Sequence, residues 1–209
     1  LAQVTFGAHK ATRIIKVSDE LVGDSQFPIE AYLAGSFGKS FGALEETAFT
    51  VGTGSSQPTG IVDGSGLGVS AAGATAITAD ELIDLYHSLG QAYRKRASFM
   101  TADLTVKAVR QLKDGNGNYL WQMGLQAGQP DTLLGRPLLT SGDMPAMTSA
   151  LKSFLFADFS YYWIADRAGR TFKRLDELYA ASGQIGFAAA QRVDGKLTLA
   201  AAAKHLLQA

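Results

Sequence analysis

The sequence predicts an α+β protein in which helices and strands occupy different parts of the chain. Helical periodicity is confined to the first half, whereas short runs rich in β-branched and aromatic residues dominate from residue 154 onward. This segregation favours an α+β fold over a doubly wound sheet, in which the two types of element would alternate. The 209 residues suffice for a sizeable core that needs no disulfides or metal.

The first elements are a strand region and a long helix. Residues 4–17 predict one or two strands, and residues 18–22 a helical turn. We expect Asp24 or Ser25 to cap a helix over residues 28–49, because apolar residues recur there at spacings of four and three. The apolar stripe consists of Ile29, Leu33, Phe37, Phe41, Leu44 and Ala48.

Three glycines interrupt this helix, namely Gly35, Gly38 and Gly42. Each weakens a helix by roughly 1 kcal/mol relative to alanine. We therefore expect another part of the protein to pack closely against the glycines.

The middle of the chain predicts a loop and two further helices. Residues 51–76 are rich in glycine and serine, and Thr78 with Glu81 forms a capping-box pattern for a helix that closes at residues 94–96. Thr101 is expected to cap a third helix, which ends at a turn over residues 114–118.

The last third predicts strands. Ala168-Gly169 and Asp194-Gly195 are interpreted as hairpin turns, and residues 200–207 as a short element whose type the local pattern leaves open. The predicted strands cover residues 154–159, 161–166, 171–175 and 184–193, with a short strand between loops in 130–145.

Composition excludes several function classes. Nineteen basic and nineteen acidic residues give a net charge of zero, which excludes a strongly basic nucleic-acid clamp. The absence of cysteine excludes disulfide scaffolds, thiol nucleophiles and cysteine-rich zinc sites. No run approaches the ~20 strongly apolar residues of a membrane helix. The chain opens with Leu1, so we interpret it as processed or as a fragment.

The motifs do not predict chemistry. The histidines His9, His87 and His205 are far apart, and Gly52-Thr53-Gly54 matches no phosphate-binding loop. The adjacent carboxylates Glu45-Glu46 point to different sides of a helix and form no acid–base dyad. We therefore predict no catalytic residue, no cofactor and no metal, and a structural protein or a binding module.

One basic run and one aromatic run are candidates for exposed or interfacial segments. Residues 94–96 could touch phosphates, but a helix C-terminus suffices to explain them. Residues 161–163 could stack on bases, but packing in a core or a subunit interface is the commoner use of such a run. The candidate contact residues are Arg94, Lys95, Arg96, Arg136, Tyr161, Tyr162 and Trp163.

Three motifs are spread in a fixed order along nearly the whole chain, together with segments around residues 15–33, 112–121 and 184–195. The motif residues are Gln57, Pro58, Thr59 and Gly60; Asp131, Thr132, Leu133, Leu134 and Gly135; and Asp158 and Phe159. In this order they resemble the major capsid proteins of tailed bacteriophages, which have the Hong Kong 97-type fold.

The resemblance implies a two-domain architecture. A peripheral domain, with a long spine helix and long strands, would comprise residues 1–58 and 150–192. An axial domain would comprise residues 59–149 and 193–209. The family's N-terminal arm and most of its extended loop would be missing from this fragment, so we expect the chain to stay small rather than form closed shells.

The resemblance also implies a function without enzymatic activity. The protein would be a structural subunit of an icosahedral phage or prophage shell that encloses double-stranded DNA. Its partners would be copies of itself in hexamers and pentamers, with scaffolding, portal and decoration proteins, and non-specifically held DNA on the inner face. It would be assembled in the bacterial cytoplasm and located in the virion, with no membrane partner.

Two alternatives stay open. An encapsulin-type nanocompartment shell shares the fold and would carry a groove for cargo peptides. An α+β enzyme or ligand-binding domain would instead need acids that converge in an apolar pocket. The acids to inspect for the second alternative are Asp131, Asp143, Asp158 and Asp166.

Overall fold

Two β-sheets, one of four strands and one of six, organise the described part of the chain. The computed structural model describes residues 3–26, 28–121 and 131–209. In chain order the elements are β1 (His9–Ser18), α1 (Asp19–Asp24), α2 (Ile29–Val51), α3 (Ile61–Gly64), β2 (Gly66–Ser70), α4 (Ala79–Ser88), α5 (Gln91–Arg94), β3 (Ser98–Thr101), α6 (Asp103–Arg110), β4 (Thr132–Leu133), β5 (Arg136–Thr140), β6 (Lys152–Ala157), β7 (Tyr162–Asp166), β8 (Thr171–Leu175), β9 (Gln184–Leu197) and β10 (Ala203–Leu207). Helix α2 and the strands from β4 onward are segregated as the sequence predicts, but β2 and β3 alternate with α3–α6 in the middle of the chain, where only a loop and two helices were expected.

The smaller sheet is built on β9, its longest strand. One edge of β9 pairs with β1 in antiparallel register from His9↔Val193 to Ser18↔Gln184. Helix α2 lies across one face of this sheet, and the predicted stripe of Ile29, Leu33, Phe37 and Phe41 packs on the strands. Leu44 was predicted to belong to the stripe, but it is 50% exposed. Leu44 follows Phe41, which is the last residue of α2 in the apolar cluster against this sheet.

Both predicted hairpin turns are wrong. Strands β7 and β8 pair with the same edge of β9, one after the other, so Ala168-Gly169 lies in a short interruption of one edge rather than in a reversal. Asp194-Gly195 lies inside β9, which runs straight on to Leu197. The turn propensity of this dipeptide is overridden because its neighbours pair with β7 on one side and β1 on the other.

Two expectations about α2 are also wrong. The N-cap is Pro28 and not Asp24 or Ser25, which end the preceding helix α1. A Cβ on Gly35, Gly38 or Gly42 would meet nothing within 4 Å, so no described residue packs closely against this face of the helix.

The larger sheet has the order β2-β10-β6-β3-β5-β4 and separates two apolar clusters. Alternation along β6 sends Phe154 and Phe156 to the side of α4 and α6, and Leu155 and Ala157 to the side of α3. Phe99 on β3 stacks on Phe156 at 4.2 Å between ring centroids. The terminal element is a strand, β10, between β2 and β6.

Local signals for the middle helices hold in part. The capping box of Thr78 and Glu81 is present at the start of α4. The predicted helix over residues 78–96 breaks at Leu89-Gly90 into α4 and the short α5. Thr101 does not cap α6. It ends β3, and its hydroxyl donates to the carbonyl of Ser153 at 2.6 Å.

Within the described ranges, no helix is both long enough and apolar enough to cross a membrane.

Candidate functional site

Glycines allow the segment Gln57–Gly60 to cross closely over the end of α2. The Gly60 N–H donates to the carbonyl of Gly52 at 2.7 Å. A Cβ on Gly60 would lie 2.5 Å from both the Gly52 nitrogen and the Thr50 oxygen. The crossing therefore requires glycine at position 60 for steric reasons, although its backbone dihedrals are ordinary.

The same segment ties α2 to the smaller sheet. The Thr59 N–H donates to the carbonyl of Gly195 at 3.1 Å, and the Tyr162 hydroxyl donates to the carbonyl of Thr59 at 2.9 Å. The Gln57 amide donates to the Thr53 hydroxyl at 3.1 Å. This motif therefore holds the fold together and presents little side-chain chemistry.

Gln57 also lines a groove of about 390 Å³ between α2 and β1. His9, Lys10 and Glu45 are the ionisable residues of its lining. The groove brings one motif residue next to the strand that opens the smaller sheet.

The second motif forms a two-residue hairpin between β4 and β5. Leu134 and Gly135 both have positive φ, 51° and 71°, as in the turns that best match strand twist. Leu134 is 45% exposed at the tip. Asp131 accepts a hydrogen bond from Arg110 at 2.6 Å, and its carbonyl accepts from the Leu138 N–H at 2.8 Å. The motif is therefore a hairpin that is held in place by the two hydrogen bonds of Asp131 and carries an exposed apolar residue at its tip.

The third motif is a local cap. Asp158 is buried and accepts hydrogen bonds from the backbone and the hydroxyl of Ser160, at 3.1 and 2.7 Å. Phe159 packs against the apolar cluster on the α3 side of the larger sheet. Both residues shape the connection from β6 to β7.

The basic run divides into one internal and two exposed residues. Arg94 donates to the carbonyls of Leu89 and His87, so it caps the end of α4. Lys95 and Arg96 are exposed. Arg136 donates to the carbonyl of Lys95 at 2.8 Å and thereby joins the hairpin to this run.

The aromatic run divides in the same way. Tyr161 packs edge-on against Tyr93 at 5.4 Å, and Tyr162 against Phe49 at 6.1 Å. Trp163 is 58% exposed, as is its neighbour Ile164. Of the three aromatic residues in this run, Trp163 is the one that exposes apolar surface, next to Ile164.

The four acids considered for an enzyme each have a separate environment. Asp131 pairs with Arg110, Asp143 accepts from the Thr47 hydroxyl at 3.1 Å, and Asp158 caps a turn. Asp166 is exposed on β7. They do not assemble one site, and the described residues contain no group of three or more side chains placed to hold a metal.

His205 is buried in the larger sheet. Its Nδ1 lies 2.8 Å from the hydroxyl of Ser65. Burial, and then the charge of Lys152, lower the pKa of His205 to about 4. The imidazole is therefore neutral at pH 7 and serves the fold.

Sequence reasoning missed a buried carboxylate, Asp194, because it read the residue as part of a turn. Asp194 is fully buried, and its oxygens accept from the backbone N–H groups of Gly7 and Gly195. His9 lies 3.6 Å away. Burial, and then the charge of Asp194, raise the pKa of Tyr162. Asp194 anchors the segment before β1, and only the pairing of β9 could have revealed this role.

The comparisons agree with this picture of structural motifs and exposed surfaces. A profile described as "Phage capsid family" matches residues 1–207. The capsid of a native GTA particle, computed with C5 symmetry, is 33% identical over 99% of this chain and 74% of that chain, with a TM-score of 0.89. Among curated proteins no match was found.

Two more distant structures share the fold alone. That of Mycobacterium phage Adephagia is 14% identical over 98% of this chain and 73% of that chain, with a TM-score of 0.70. The holo-SrpI encapsulin complex of Synechococcus elongatus is 14% identical over 96% of this chain and 73% of that chain, with a TM-score of 0.69.

The fold and the surfaces define a structural shell protein with the Hong Kong 97-type fold, as the sequence predicted. The chain belongs to the phage capsid family. It is a subunit of a capsid shell built from copies of itself, is located in the virion capsid, and is not an enzyme.

Proposed function

We propose that this subunit forms hexamers and pentamers of an icosahedral shell that encloses double-stranded DNA and assembles in the host cytoplasm. The observation that carries the proposal is the 33% identity to the GTA particle capsid across 99% of this chain. The encapsulin shares only the fold, at 14% identity, so it supports a nanocompartment less well. Scaffolding, portal and decoration proteins are the further partners we propose.

Light scattering and negative-stain imaging test this proposal. The full-length gene product would be measured beside the 209-residue chain. We expect the full-length product to form megadalton shells that contain DNA, and the shorter chain to stay small. A full-length product that stays monomeric or dimeric would contradict the proposal. Regular shells of the 209-residue chain would contradict the expectation that it stays small.

We also propose a peripheral and an axial domain. The two sheets support this division, with the smaller sheet and α2 as the peripheral unit and the larger sheet with α4 and α6 as the axial unit. The strands that belong to each sheet favour domain boundaries different from those expected. Strand β6 pairs within the larger sheet, and β9 continues in the smaller sheet to Leu197.

For the contact residues, exposure supports a narrower set than the sequence suggested. Of those residues, Lys95, Arg96 and Trp163 are exposed and support contacts with neighbouring subunits. Leu134 of the second motif is also exposed and is added to the proposed contacts. Arg94, Arg136, Tyr161 and Tyr162 make internal contacts that explain them without a partner.

A further inference from the structure

The face of the smaller sheet opposite α2 is a shallow groove with a floor of small residues. Along β1 the side chains alternate, so that Lys10, Thr12 and Lys16 are exposed while their neighbours pack toward α2. Strand β9 pairs with β1 and contributes Ala188 and Ala190 to the same face. A groove of about 330 Å³ lies over these alanines.

The charged side chains that surround this groove are basic. We call Lys10, Lys16, Arg167, Lys173 and Arg192 the cationic face; all five are exposed. Lys10 lies directly opposite Arg192 in the β1–β9 register, and the Arg167 N–H donates to the carbonyl of Arg192 at 2.9 Å. Like charges placed opposite each other on neighbouring strands destabilise a sheet.

Within the described residues, these cations form no ion pairs. Lys16 lies over the ring of Tyr179 at 4.3 Å, and the other four have no acidic partner. Asp194 continues the same row of β9, but it is buried and already engaged with Gly7 and Gly195.

The α2 side of the sheet is different. There Arg170 lies 3.4 Å from Glu45, and Arg174 lies 3.4 Å from Glu30, and both acids belong to α2. The fold thus pairs two cations of the α2 side with acids and leaves the cationic face without an acidic partner among the described residues.

Complementary acids lie at the far end of the same sheet, on α1. Asp19, Glu20 and Asp24 are exposed and form no ion pair with any described residue. Lys10 lies eight residue steps from Ser18, the residue before α1, which corresponds to about 26 Å along β1. The acids of α1 therefore cannot neutralise the Lys10–Arg192 region of their own subunit.

We propose that the cationic face binds the acidic helix α1 of a second copy of this chain. The chain belongs to a family whose members form shells, and in a head-to-tail contact each subunit uses both surfaces, which lets a ring close. The three acids of the short helix α1 complement the unpaired cations that line the groove. Duplex DNA, which carries a charge about every 1.7 Å, instead favours an extended basic surface.

Charge reversal with rescue tests this contact in the full-length protein. Lys173→Glu with Arg192→Glu is expected to lower the yield of shells, measured by sedimentation at low salt, by about tenfold or more. Glu20→Lys with Asp24→Lys should do the same. Combining the four changes restores complementary charge and should return the yield to within about threefold of wild type.

A matched control separates this contact from an effect of net charge. Asp84→Lys with Asp103→Lys changes two exposed acids of the larger-sheet helices α4 and α6, and restores the same net charge to the cationic-face variant. We expect no rescue from this pair. Equal rescue by both acid pairs, or none by the α1 pair, would overturn the proposal, and the second result would point to DNA or another protein as the occupant.

Two further measurements can be made even if few shells form. A zero-length carbodiimide should join Lys10 or Lys173 to Glu20 or Asp24 between light and heavy isotope-labelled copies, and the absence of such mixed peptides would oppose the proposal. Lys10→Glu should raise the melting temperature of dissociated subunits by about 1–3 °C, because it removes the like-charge pair with Arg192, yet lower shell yield. A purely structural residue would move both in the same direction.

Discussion

At the scale of single residues, glycines in this chain have opposite roles. Gly60 is buried in a crossing where a Cβ would lie 2.5 Å from backbone atoms, whereas Gly38 lies on an open helix face with nothing within 4 Å. The sequence shows both as glycine and cannot tell them apart. Only the chain packed against each position decides whether the missing side chain is a requirement or a weakness.

This contrast predicts opposite effects of the same substitution. Gly60→Ala should lower the free energy of unfolding by about 2–3 kcal/mol, because the backbone must move to admit the Cβ. Gly38→Ala should raise it by about 0.5–1 kcal/mol, since alanine is the better helix former. Urea denaturation of both variants checks this, and a destabilised Gly38→Ala would show that the open face is not open.

The buried imidazole of His205 predicts a pH dependence. Its pKa is lowered from 6.5 to about 4 in the folded protein, so the unfolded chain binds the proton more readily between these values. The contribution of the neutral imidazole is therefore complete above about pH 6.5 and is lost as the pH falls toward 4.

His205→Gln isolates this contribution from other acids. The difference in unfolding free energy between wild type and variant should be constant above pH 7 and should shrink as the pH falls from about 6.5 to 4. Urea titrations at several pH values give this difference. If the difference does not change with pH, His205 does not titrate as described.

At the scale of elements, periodicity and capping predicted more than turn propensity did. The four-and-three spacing identified α2, and Thr78 with Glu81 identified the start of α4, because both signals act within one turn of helix. The turn propensity of Ala168-Gly169 and of Asp194-Gly195 gave wrong predictions of hairpins, because the course of a strand depends on the strands with which it pairs. Asp194-Gly195 lies within β9 and Ala168-Gly169 between its partners β7 and β8, and both edges of β9 are occupied along most of its length.

The hairpin between β4 and β5 carries a replaceable residue at its tip. Leu134 adopts φ of 51°, which asparagine tolerates better than leucine. Leu134→Asn should therefore raise the stability of the subunit by about 0.5–1 kcal/mol. Thermal unfolding measures this change, with Leu139→Asn on the adjacent strand as the control that should not stabilise. No gain in Leu134→Asn would mean that the leucine makes compensating contacts at the tip.

At the scale of the whole molecule, the net charge is zero although basic and acidic residues are concentrated on separate surfaces. The cationic face lies on the smaller sheet and the three acids of α1 lie at its end, while the nineteen basic and nineteen acidic residues of the whole chain cancel. A protein of zero net charge without such patches would show little effect of salt on self-association.

The distribution instead predicts that assembly weakens with salt. Raising NaCl from about 0.05 M to about 0.5 M should reduce the yield of shells, because screening shortens the reach of exposed charges. Sedimentation at several salt concentrations measures this. The Lys173→Glu, Arg192→Glu variant should lose most of the dependence, and a yield that rises with salt would indicate that apolar contacts dominate.

The sequence by itself determined the α+β class, the long helix α2, the capping box of α4 and, through three ordered motifs, the family. These properties follow from neighbours within a few residues or from motif order along the chain. Only the tertiary structure decided that β7 and β8 share one edge of β9, that Asp194 is a buried anchor, and that Gly60 is required where Gly38 is not. Strand pairing and close packing join residues distant along the chain, and no local pattern states which ones will meet.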